Sequence, residues 1–354
     1  MFEKRRTRRT SKIVRGSMLF VLTGLVIMVL VVYKFYGRVY ETNVSLDAEH
    51  EIFYIPDGAA FSYVIGLLES DSIIDNPKSF RWVAGKKGYD SNVKPGRYKI
   101  RNGSSNNELI NMLRSGNQDP VMVVFNNMRT LDQIAGKISR YLQGDSSEYA
   151  DHMADPSVIA HYGFSEQTFS SMFIPNTYEF FWTTNPEDFV ERMNKEYEDF
   201  WDGERERKAK RMEMSRAEVI TLASIVDEET LYDEENQRVA GLYINRLDRG
   251  IALQADPTLK FAMDDFTVKR ILNKDKKIDS PYNTYTHKGL PPGPISIPSV
   301  SAIDGVLNYE KHKYIFMCAK ADFTGYHAFA RSLNEHNRNA REYQRVLNTR
   351  RIYR

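Results

Sequence analysis

The sequence of 354 residues has one cysteine, Cys318, and no strong excess of charge of either sign. One thiol cannot close an internal disulfide or form a C-x-x-C zinc or redox site. The chain has 49 lysine and arginine residues against 47 aspartate and glutamate residues, a formal charge of +2. General nucleic-acid binding needs a strongly basic surface, so we expect no nucleic-acid partner. The seven histidines show no H-x-x-x-H or similar spacing, so we expect no metal and no other cofactor.

The composition is that of a globular protein. Apolar residues make up 42% and charged residues 27% of the chain, which excludes a disordered tail protein and a collagen-like fibre. The length suggests about two domains.

One long apolar run lies near the N-terminus. Residues 16–33 carry no charge, and about 20 mostly apolar residues span a bilayer as a helix. Seven basic residues and one acid precede the run, and such a basic flank stays in the cytoplasm. We therefore predict a basic cytoplasmic tail over 1–15, a single transmembrane helix over 16–36 in the cytoplasmic membrane, and an extracytoplasmic remainder. The alternative, a cleaved signal peptide, is disfavoured by the length of the run and by the lack of an A-x-A-like cleavage site.

The pattern over residues 50–126 predicts a small α/β module. EIFYI and RYKI are expected strands, and PVMVVF is expected to close the module as another strand. Asn76 followed by Pro77 predicts a helix start, and Ser105 with Glu108 predicts a capping box that begins the helix NELINMLRS. We find no catalytic constellation here, so we expect a binding or spacer module.

Residues 127–354 predict a larger, mainly helical domain, so the expected fold class is α+β. KYIFMCAK and YHAFA predict a β-hairpin near the C-terminus. The segment FIPNTYEFFW concentrates aromatic residues around a proline turn. It is either core packing or a wall for stacking sugars, and core packing is favoured because aromatic side chains are mostly buried.

A helix that begins at Ser215 carries the strongest chemical signal. Its sequence AEVITLASIVDEET forms an apolar stripe, and Asp227 and Glu229 lie on the two flanks of that stripe while Glu228 points to solvent. Residues two apart on a helix do not face each other, so these two acids cannot act together on one bond. Partial desolvation would raise the pKa of either one, as a general acid requires. Periodicity alone does not show which of Asp227 and Glu229 is the functional acid. An isolated DEE run is usually a solvated helix end without a catalytic role.

Polar residues that follow could line a cleft beside this helix. Asn245 and Arg246 lie beside the apolar stripe of a second helix, over about 234–248, and suit sugar hydroxyl and carboxylate groups. Asp256 precedes Pro257, so we expect it to be a helix N-cap. The proline-rich loop that contains YNTYTHKGLPPGPI could wall the cleft. His327 lies on the predicted hairpin, and an ordinary strand histidine is an equal alternative.

Several of these motifs together resemble a known family. LASIVDEET, VAGLYINRL, LQADPT, YNTYTHKGLPPGPI and HAFARSLNEHN occur in the order and spacing of the catalytic domain of the YceG-like endolytic murein transglycosylases. IPDGAAF, VKPGRYKI and FIPNTYEF resemble that family's LysM-like unit and connecting segment. The family's single catalytic glutamate corresponds to Glu229, and Asp227 replaces an earlier glutamate of its motif. Asn176 and Asn126-Asn127 depart from the family pattern, which usually has aspartate and Glu-Gly there.

The resemblance implies a lytic transglycosylase that cuts peptidoglycan glycan strands internally. Glu229 would protonate the oxygen between N-acetylmuramic acid and N-acetylglucosamine, and would then accept the proton of the muramoyl C6 hydroxyl as that oxygen attacks C1. The product would carry a 1,6-anhydro end. The resemblance also implies a link to the termination of glycan polymerisation, with peptidoglycan synthases as candidate partners. The expected glycan-binding residues are Asn245, Arg246, Gln254, Asp256, Tyr282, Asn283, Tyr285 and His327.

Two other functions stay open at this point. The first is a non-catalytic wall-binding protein, in which the LysM-like module binds peptidoglycan and the helical domain docks other proteins. The second is a muramidase that uses water, with Asp256 as the second carboxylate that glycoside hydrolysis normally needs.

Overall fold

The computed structural model describes residues 3–126, 128–268 and 271–349, with side chains from residue 16 onward. Asn127, which is half of the Asn126-Asn127 departure, lies outside the described residues, as do the first two residues of the predicted basic tail and the last five of the chain. The chain forms two compact units. One runs to Val121 and includes Phe181–Thr183, and the other comprises Met122–Phe180 and the chain from Thr184 onward.

The first helix, α1 (Glu3–Tyr40), contains the apolar run and continues four residues past the predicted end at residue 36. Its segment Gly16–Tyr40 is the one helix within the described residues that is long and apolar enough to cross a membrane, by length and composition alone. Its large apolar side chains from Met18 to Tyr36 are exposed. Exposed apolar surface on all sides of a helix is typical of a membrane span, and a signal sequence has the same appearance.

The rest of the first unit is a small α/β module. It contains β1 (His50–Ile55), α2 (Phe61–Ser70), α3 (Pro77–Lys87), β2 (Gly96–Arg101) and α4 (Asn106–Ser115). β1 and β2 are antiparallel, with Phe53 opposite Tyr98. The predicted caps are confirmed, since the Asn76 side chain accepts from the Ser79 N–H and Ser105 forms a capping box with Glu108. One apolar core joins the strands to the helices.

The second unit is mostly helical, with two short two-stranded sheets. Its elements are β3 (Val121–Val124), α5 (Leu131–Ile138), α6 (Ser146–Ala154), α7 (Pro156–His161), β4 (Thr177–Phe180), α8 (Pro186–Phe200), α9 (Gly203–Arg211), α10 (Arg216–Glu229), α11 (Asn236–Asp248), α12 (Asp256–Ala262), α13 (Val300–Leu307), β5 (Phe316–Ala319), β6 (His327–Ala330) and α14 (Leu333–Thr349). Mixed helices with small sheets agree with the predicted α+β class, and the LysM-like character of the first unit stays a prediction.

The strand that we expected to close the first module does not join it. β3 pairs with β4, and β1 pairs only with β2. The Phe125 N–H, just after β3, donates to the Asn176 carbonyl (2.9 Å). Val123 and Phe125 are buried, and the Phe125 ring packs on Tyr178. These partners lie more than 50 residues ahead, so local sequence could not reveal them.

The aromatic segment before α8 is core rather than a sugar wall for most of its length. Phe173, Tyr178 and Phe180 are buried, and each contributes to a cluster of rings around Phe189. Asn176, the departure from the family pattern, is exposed, and its side chain accepts from the Thr177 N–H (2.8 Å). Asparagine at position 176, where the family usually has aspartate, therefore lies outside the buried aromatic cluster around Phe189.

The predicted C-terminal hairpin is confirmed. β5 and β6 are antiparallel, with Ala319 opposite His327. The Glu335 N–H then donates to Ser332 Oγ (3.3 Å) at the start of α14. The hairpin brings His327 beside the helices that carry the acidic residues.

Candidate functional site

The candidate site lies at the C-terminal end of α10. The capping box of Ser215 and Glu218 begins this helix as predicted. All eight residues of 219–226 are buried, so the helix is enclosed on every side and not only along the predicted apolar stripe. It packs against α11 and α13. An enclosed helix cannot roll or slide, and the acidic residues 227–229 at its end are therefore held in fixed positions.

Asp227 and Glu229, which periodicity left equivalent, have different surroundings. The Asp227 carboxylate accepts from the Ser299 N–H (3.1 Å) and the Ser299 hydroxyl (2.6 Å), at the N-cap of α13. Glu229 Oε1 instead accepts from the Tyr243 hydroxyl (2.9 Å) on α11 and faces open space. Asp227 thus joins the end of α10 to the start of α13, while the Glu229 carboxylate borders a cavity.

The Glu229 carboxyl has the acidity of a general acid. Burial raises its pKa from the usual 4.5 to about 7. The Tyr243 hydrogen bond and the charge of Lys260 oppose this rise, whereas the carboxylates of Asp256 and Glu228 add to it. A carboxyl with a pKa near 7 can donate a proton at neutral pH and can also take one back.

Tyr243 keeps its proton and serves as a fixed donor. The residue is 2% exposed, and burial together with the Glu229 carboxylate raises its pKa well above the ordinary value for tyrosine. Tyr243 lies within the motif VAGLYINRL, but our sequence analysis did not recognise its hydroxyl as a partner of the acid. A buried tyrosine hydroxyl usually finds such a partner, which is the signal that could have identified it.

Glu229 lines two cavities of the second unit. The larger, of about 680 Å³, lies among α11, α12 and the hairpin. The smaller, of about 230 Å³, is lined on its other sides by Arg129, Leu231 and Ile297. Glu228 is exposed, as predicted, and Arg129 Nη2 contacts both of its carboxylate oxygens (2.7 and 2.8 Å) at the smaller cavity. Glu229 therefore borders open space on two sides.

Five of the eight predicted glycan-binding residues line the larger cavity: Arg246, Gln254, Asp256, Tyr285 and His327. Lys276, which no sequence signal identified, lines it too, and its ammonium lies 4.8 Å from the centre of the Tyr285 ring. The cavity thus combines an acid, an aromatic ring and several hydrogen-bonding groups.

Arg246 shapes the cavity wall through contacts within the protein. The residue is buried, and its guanidinium donates to the Ala252 carbonyl (2.7 and 2.9 Å), the Ile315 carbonyl (2.7 Å) and Gln254 Oε1 (2.7 Å). Gln254 has a φ of +56°, a left-handed conformation that is strained for a residue with a Cβ. Arg246 therefore holds a strained segment at the edge of the cavity.

The expected capping role of Asp256 is wrong. The N-cap of α12 is Ala255, and the Asp256 side chain makes no cap hydrogen bond. Its Oδ1 instead accepts from the Tyr285 hydroxyl (2.5 Å), and both side chains line the larger cavity. The proline pattern identified the helix correctly but misplaced its first residue by one position. As a result, a second carboxylate faces the same cavity as Glu229.

The other three predicted residues do not line either cavity. The Asn245 amide donates to the carbonyls of His312 (2.9 Å) and Tyr314 (3.0 Å), before the hairpin. Asn283 is fully buried, and its amide donates to the carbonyls of Lys276 (3.1 Å) and Ile278 (2.8 Å). Tyr282 packs its ring on Phe261, at 4.6 Å between centres. Asn283 and Tyr282 therefore hold the loops that carry Lys276 and Tyr285, whereas Asn245 holds the segment before the hairpin.

Glu235 is a residue that our sequence analysis missed. It lies in a short 3-10 turn, Asp233–Glu235, before α11, and it is 5% exposed. Its carboxylate accepts from Nδ1 of His327 (2.9 Å) and from the His327 backbone N–H (3.0 Å). A buried acid is unusual unless it is paired, and the sequence showed only an acidic run that resembles a solvated turn.

The described residues contain no group of three or more His, Cys, Asp or Glu side chains arranged to hold a metal ion.

Comparison with known proteins identifies the family of this chain. The sequence model of the YceG-like family matches residues 53–342. An endolytic murein transglycosylase of Bacillus subtilis is 27% identical over 325 residues, covering 87% of this chain and 89% of that protein. One of Streptococcus pneumoniae is 26% identical over 366 residues, covering 92% of this chain and 65% of that protein. The crystal structure of a YceG-like protein from Listeria monocytogenes aligns over 82% of this chain and 98% of that chain, with a TM-score of 0.55 and 28% identity. Because the family match extends over most of its length, this chain belongs to the YceG-like family.

Proposed function

We propose that this protein is a membrane-anchored endolytic lytic transglycosylase of peptidoglycan, with Glu229 as its acid and then its base. The observation that supports this most directly is one carboxyl with a pKa of about 7 at the wall of a large polar cavity. The relatives named as endolytic murein transglycosylases support the substrate and the reaction class.

Glu229 performs two proton transfers in the proposed reaction. Its protonated form gives a proton to the glycosidic oxygen between N-acetylmuramic acid and N-acetylglucosamine as the bond to C1 breaks. The resulting carboxylate takes the proton of the muramoyl C6 hydroxyl while that oxygen bonds to C1. The product is a 1,6-anhydro ring, no water is consumed, and Glu229 ends protonated. A pKa near the working pH suits both steps.

The position of Glu229 between two cavities supports cleavage inside a strand. An enzyme that cuts a polymer internally must bind sugars on both sides of the broken bond. The larger cavity offers Gln254, Tyr285 and His327 on one side of Glu229, and the smaller offers Arg129 and Leu231 on the other. We assign the glycan to this path, with Arg246 and Asp256 completing the wall of the larger cavity.

The apolar helix supports a membrane anchor. Gly16–Tyr40 is long and apolar enough to cross a bilayer, and a basic segment precedes it. We propose a single-pass topology with the N-terminus in the cytoplasm and the catalytic unit outside the cytoplasmic membrane. Partnership with peptidoglycan synthases and a role in ending glycan polymerisation rest on the resemblance alone.

The test uses the full chain in detergent with purified glycan strands, and mass spectrometry of the fragments. Wild type should release anhydro ends, and Glu229→Gln should lose about 10²- to 10⁴-fold in rate, the usual contribution of a general acid and base. Asp227→Asn is the matched control, since that carboxylate is engaged by Ser299, and it should lower stability more than cleavage. Unchanged cleavage by Glu229→Gln would refute the assignment and favour a non-catalytic wall-binding protein.

A hydrolytic muramidase is the second candidate, because Asp256 faces the same cavity as Glu229 instead of capping a helix. Hydrolysis would use this second carboxylate and would leave reducing ends. Fragments with reducing ends, together with loss of activity in Asp256→Asn, would establish this alternative.

A further inference from the structure

We infer that Glu235 is a positioning residue for glycan cleavage. It acts through His327, whose Nε2 accepts a hydrogen bond from a hydroxyl group of the bound glycan. This inference rests on the proposed function, because it takes the larger cavity to be the glycan site. It adds to that function Glu235, which does not line the cavity, and a defined contact atom, Nε2 of His327, which lines it.

The contacts of Glu235 fix the orientation of the imidazole. Glu235 Oε2 accepts from His327 Nδ1 (2.9 Å) and from Thr230 Oγ1 (3.2 Å), and Oε1 accepts from the His327 backbone N–H (3.0 Å). The carboxylate therefore holds both the backbone and the ring of one residue. A buried carboxylate is retained only when such donors compensate for its lost hydration.

The same contacts determine which ring nitrogen faces the glycan. An ionised carboxylate can only accept, so Nδ1 carries the proton, and in the neutral ring Nε2 is left as an acceptor. The imidazole is 15% exposed and lines the larger cavity together with Glu229. Within the part of the chain that the structure describes, Nε2 has no hydrogen-bond partner. A glycan offers hydroxyl donors at each sugar, which is the chemistry that this acceptor fits.

A purely structural role accounts for only part of the arrangement. The bond from the His327 backbone N–H to Glu235 would fasten the start of β6 with any side chain at that position. The second carboxylate oxygen orients a ring that opens into the cavity, and the fold alone gives no reason for that orientation. No proton leaves His327 in the proposed reaction, because Glu229 carries out both transfers.

The first test is Glu235→Gln in the full chain, with Glu234→Gln as the matched control. Glu234 is the adjacent acid, and its carboxylate accepts from the Tyr326 hydroxyl instead of from His327. A glutamine has one acceptor oxygen and a donating amide, so it cannot accept from both His327 groups and keep the ring in its tautomer. We expect kcat/KM for glycan cleavage to fall about 10- to 100-fold in Glu235→Gln, as for other residues that orient an active-site histidine, and to stay at the wild-type level in Glu234→Gln.

Nitrogen-15 NMR of the histidine side chains shows which ring nitrogen carries the proton, separately from any change in stability. Wild type should show the His327 proton on Nδ1, assigned by difference from His327→Ala, and Glu235→Gln should shift it to Nε2. Wild-type kcat/KM in Glu235→Gln would overturn the inference, whether or not the tautomer changes.

A second pair of variants decides the question if Glu235→Gln does not fold. The amide of His327→Asn lies near the position of Nδ1 and can still donate to Glu235, whereas His327→Gln places a carbonyl near the position of Nε2. A glycan contact through Nε2 predicts that His327→Gln cleaves about tenfold faster than His327→Asn. The reverse order would show that only the contact with Glu235 matters.

Failure of the inference and failure of the proposed function give different results. If wild type forms anhydro ends and Glu229→Gln does not, the proposed function holds, and the His327 variants then test the inference alone. If wild type forms no anhydro ends, the proposed function fails irrespective of Glu235.

Discussion

Removal of the Tyr243 hydroxyl should make Glu229 a weaker acid. The Tyr243 hydroxyl donates to Glu229 Oε1 at 2.9 Å, and this bond stabilises the carboxylate over the neutral acid. In Tyr243→Phe the carboxylate loses that donor while burial, the main cause of the raised pKa, remains. The pKa of Glu229, about 7 in wild type, should therefore rise further.

The size of the pKa change follows from the free energy that one hydrogen bond to a charged group contributes, about 1.5–3 kcal/mol when no water replaces it. Water can enter the cavity and replace part of that bond, so about 1.4 kcal/mol is a reasonable net loss, equivalent to one pH unit. The proposed reaction needs protonated Glu229 in the free enzyme, so kcat/KM should fall as the pH rises through the Glu229 pKa. In Tyr243→Phe this fall should begin about one pH unit higher, and the plateau below it should be up to about tenfold lower because the ionised product of proton transfer is less stable.

The assay is the pH dependence of kcat/KM with purified glycan strands, from about pH 5 to 9. Tyr178→Phe is the matched control, since its buried hydroxyl donates to the Ile174 carbonyl (2.7 Å) and the residue lines neither cavity. That variant should keep the wild-type profile. A profile that moves to lower pH in Tyr243→Phe, or does not move, would refute the idea that this bond tunes the acid.

Two further predictions concern stability. The folded pKa of Glu229 lies above its unfolded value of 4.5, so its contribution to the free energy of unfolding is largest below pH 4.5 and is lost as the pH rises to about 7. Urea titrations should therefore show Glu229→Gln more stable than wild type at pH 8, by about 1–3 kcal/mol for this half-buried group, and little difference at pH 4.5. A Cβ at Gly241 would overlap the Glu310 carbonyl oxygen, whereas one at Gly136, also inside a helix, would meet nothing within 4 Å. Gly241→Ala should lower the free energy of unfolding by about 2 kcal/mol or more, while Gly136→Ala should raise it by about 0.5–1 kcal/mol, and equal effects would contradict this packing.

The sequence predicted local structure well wherever a local signal exists. The capping box at Ser105, the helix start at Ser215 and the hairpin at residues 316–330 each depend on a few neighbouring residues. Such signals act over one helical turn or one β-turn, so they need no knowledge of the fold.

The functions of polar side chains were harder to predict because their partners are distant in the chain. Asp227 contacts Ser299 and Asp256 contacts Tyr285, partners 72 and 29 residues away. Asn245 is adjacent to the inward face of its helix, as expected, but its amide is satisfied by carbonyls about 67 residues later. Periodicity gives the direction in which a side chain points, and only the tertiary fold gives what it meets there.

The end of α10 has a consequence for the second proton transfer of the proposed reaction. Glu229 is the last residue of that helix, where backbone carbonyls lack partners within the helix and carry the negative pole of its dipole. An ionised side chain there is repelled by its own main chain, so the Glu229 carboxylate should take the C6 hydroxyl proton more readily in the proposed reaction. The same acid at the N-terminal end of the helix would be stabilised as an anion and would accept that proton less readily.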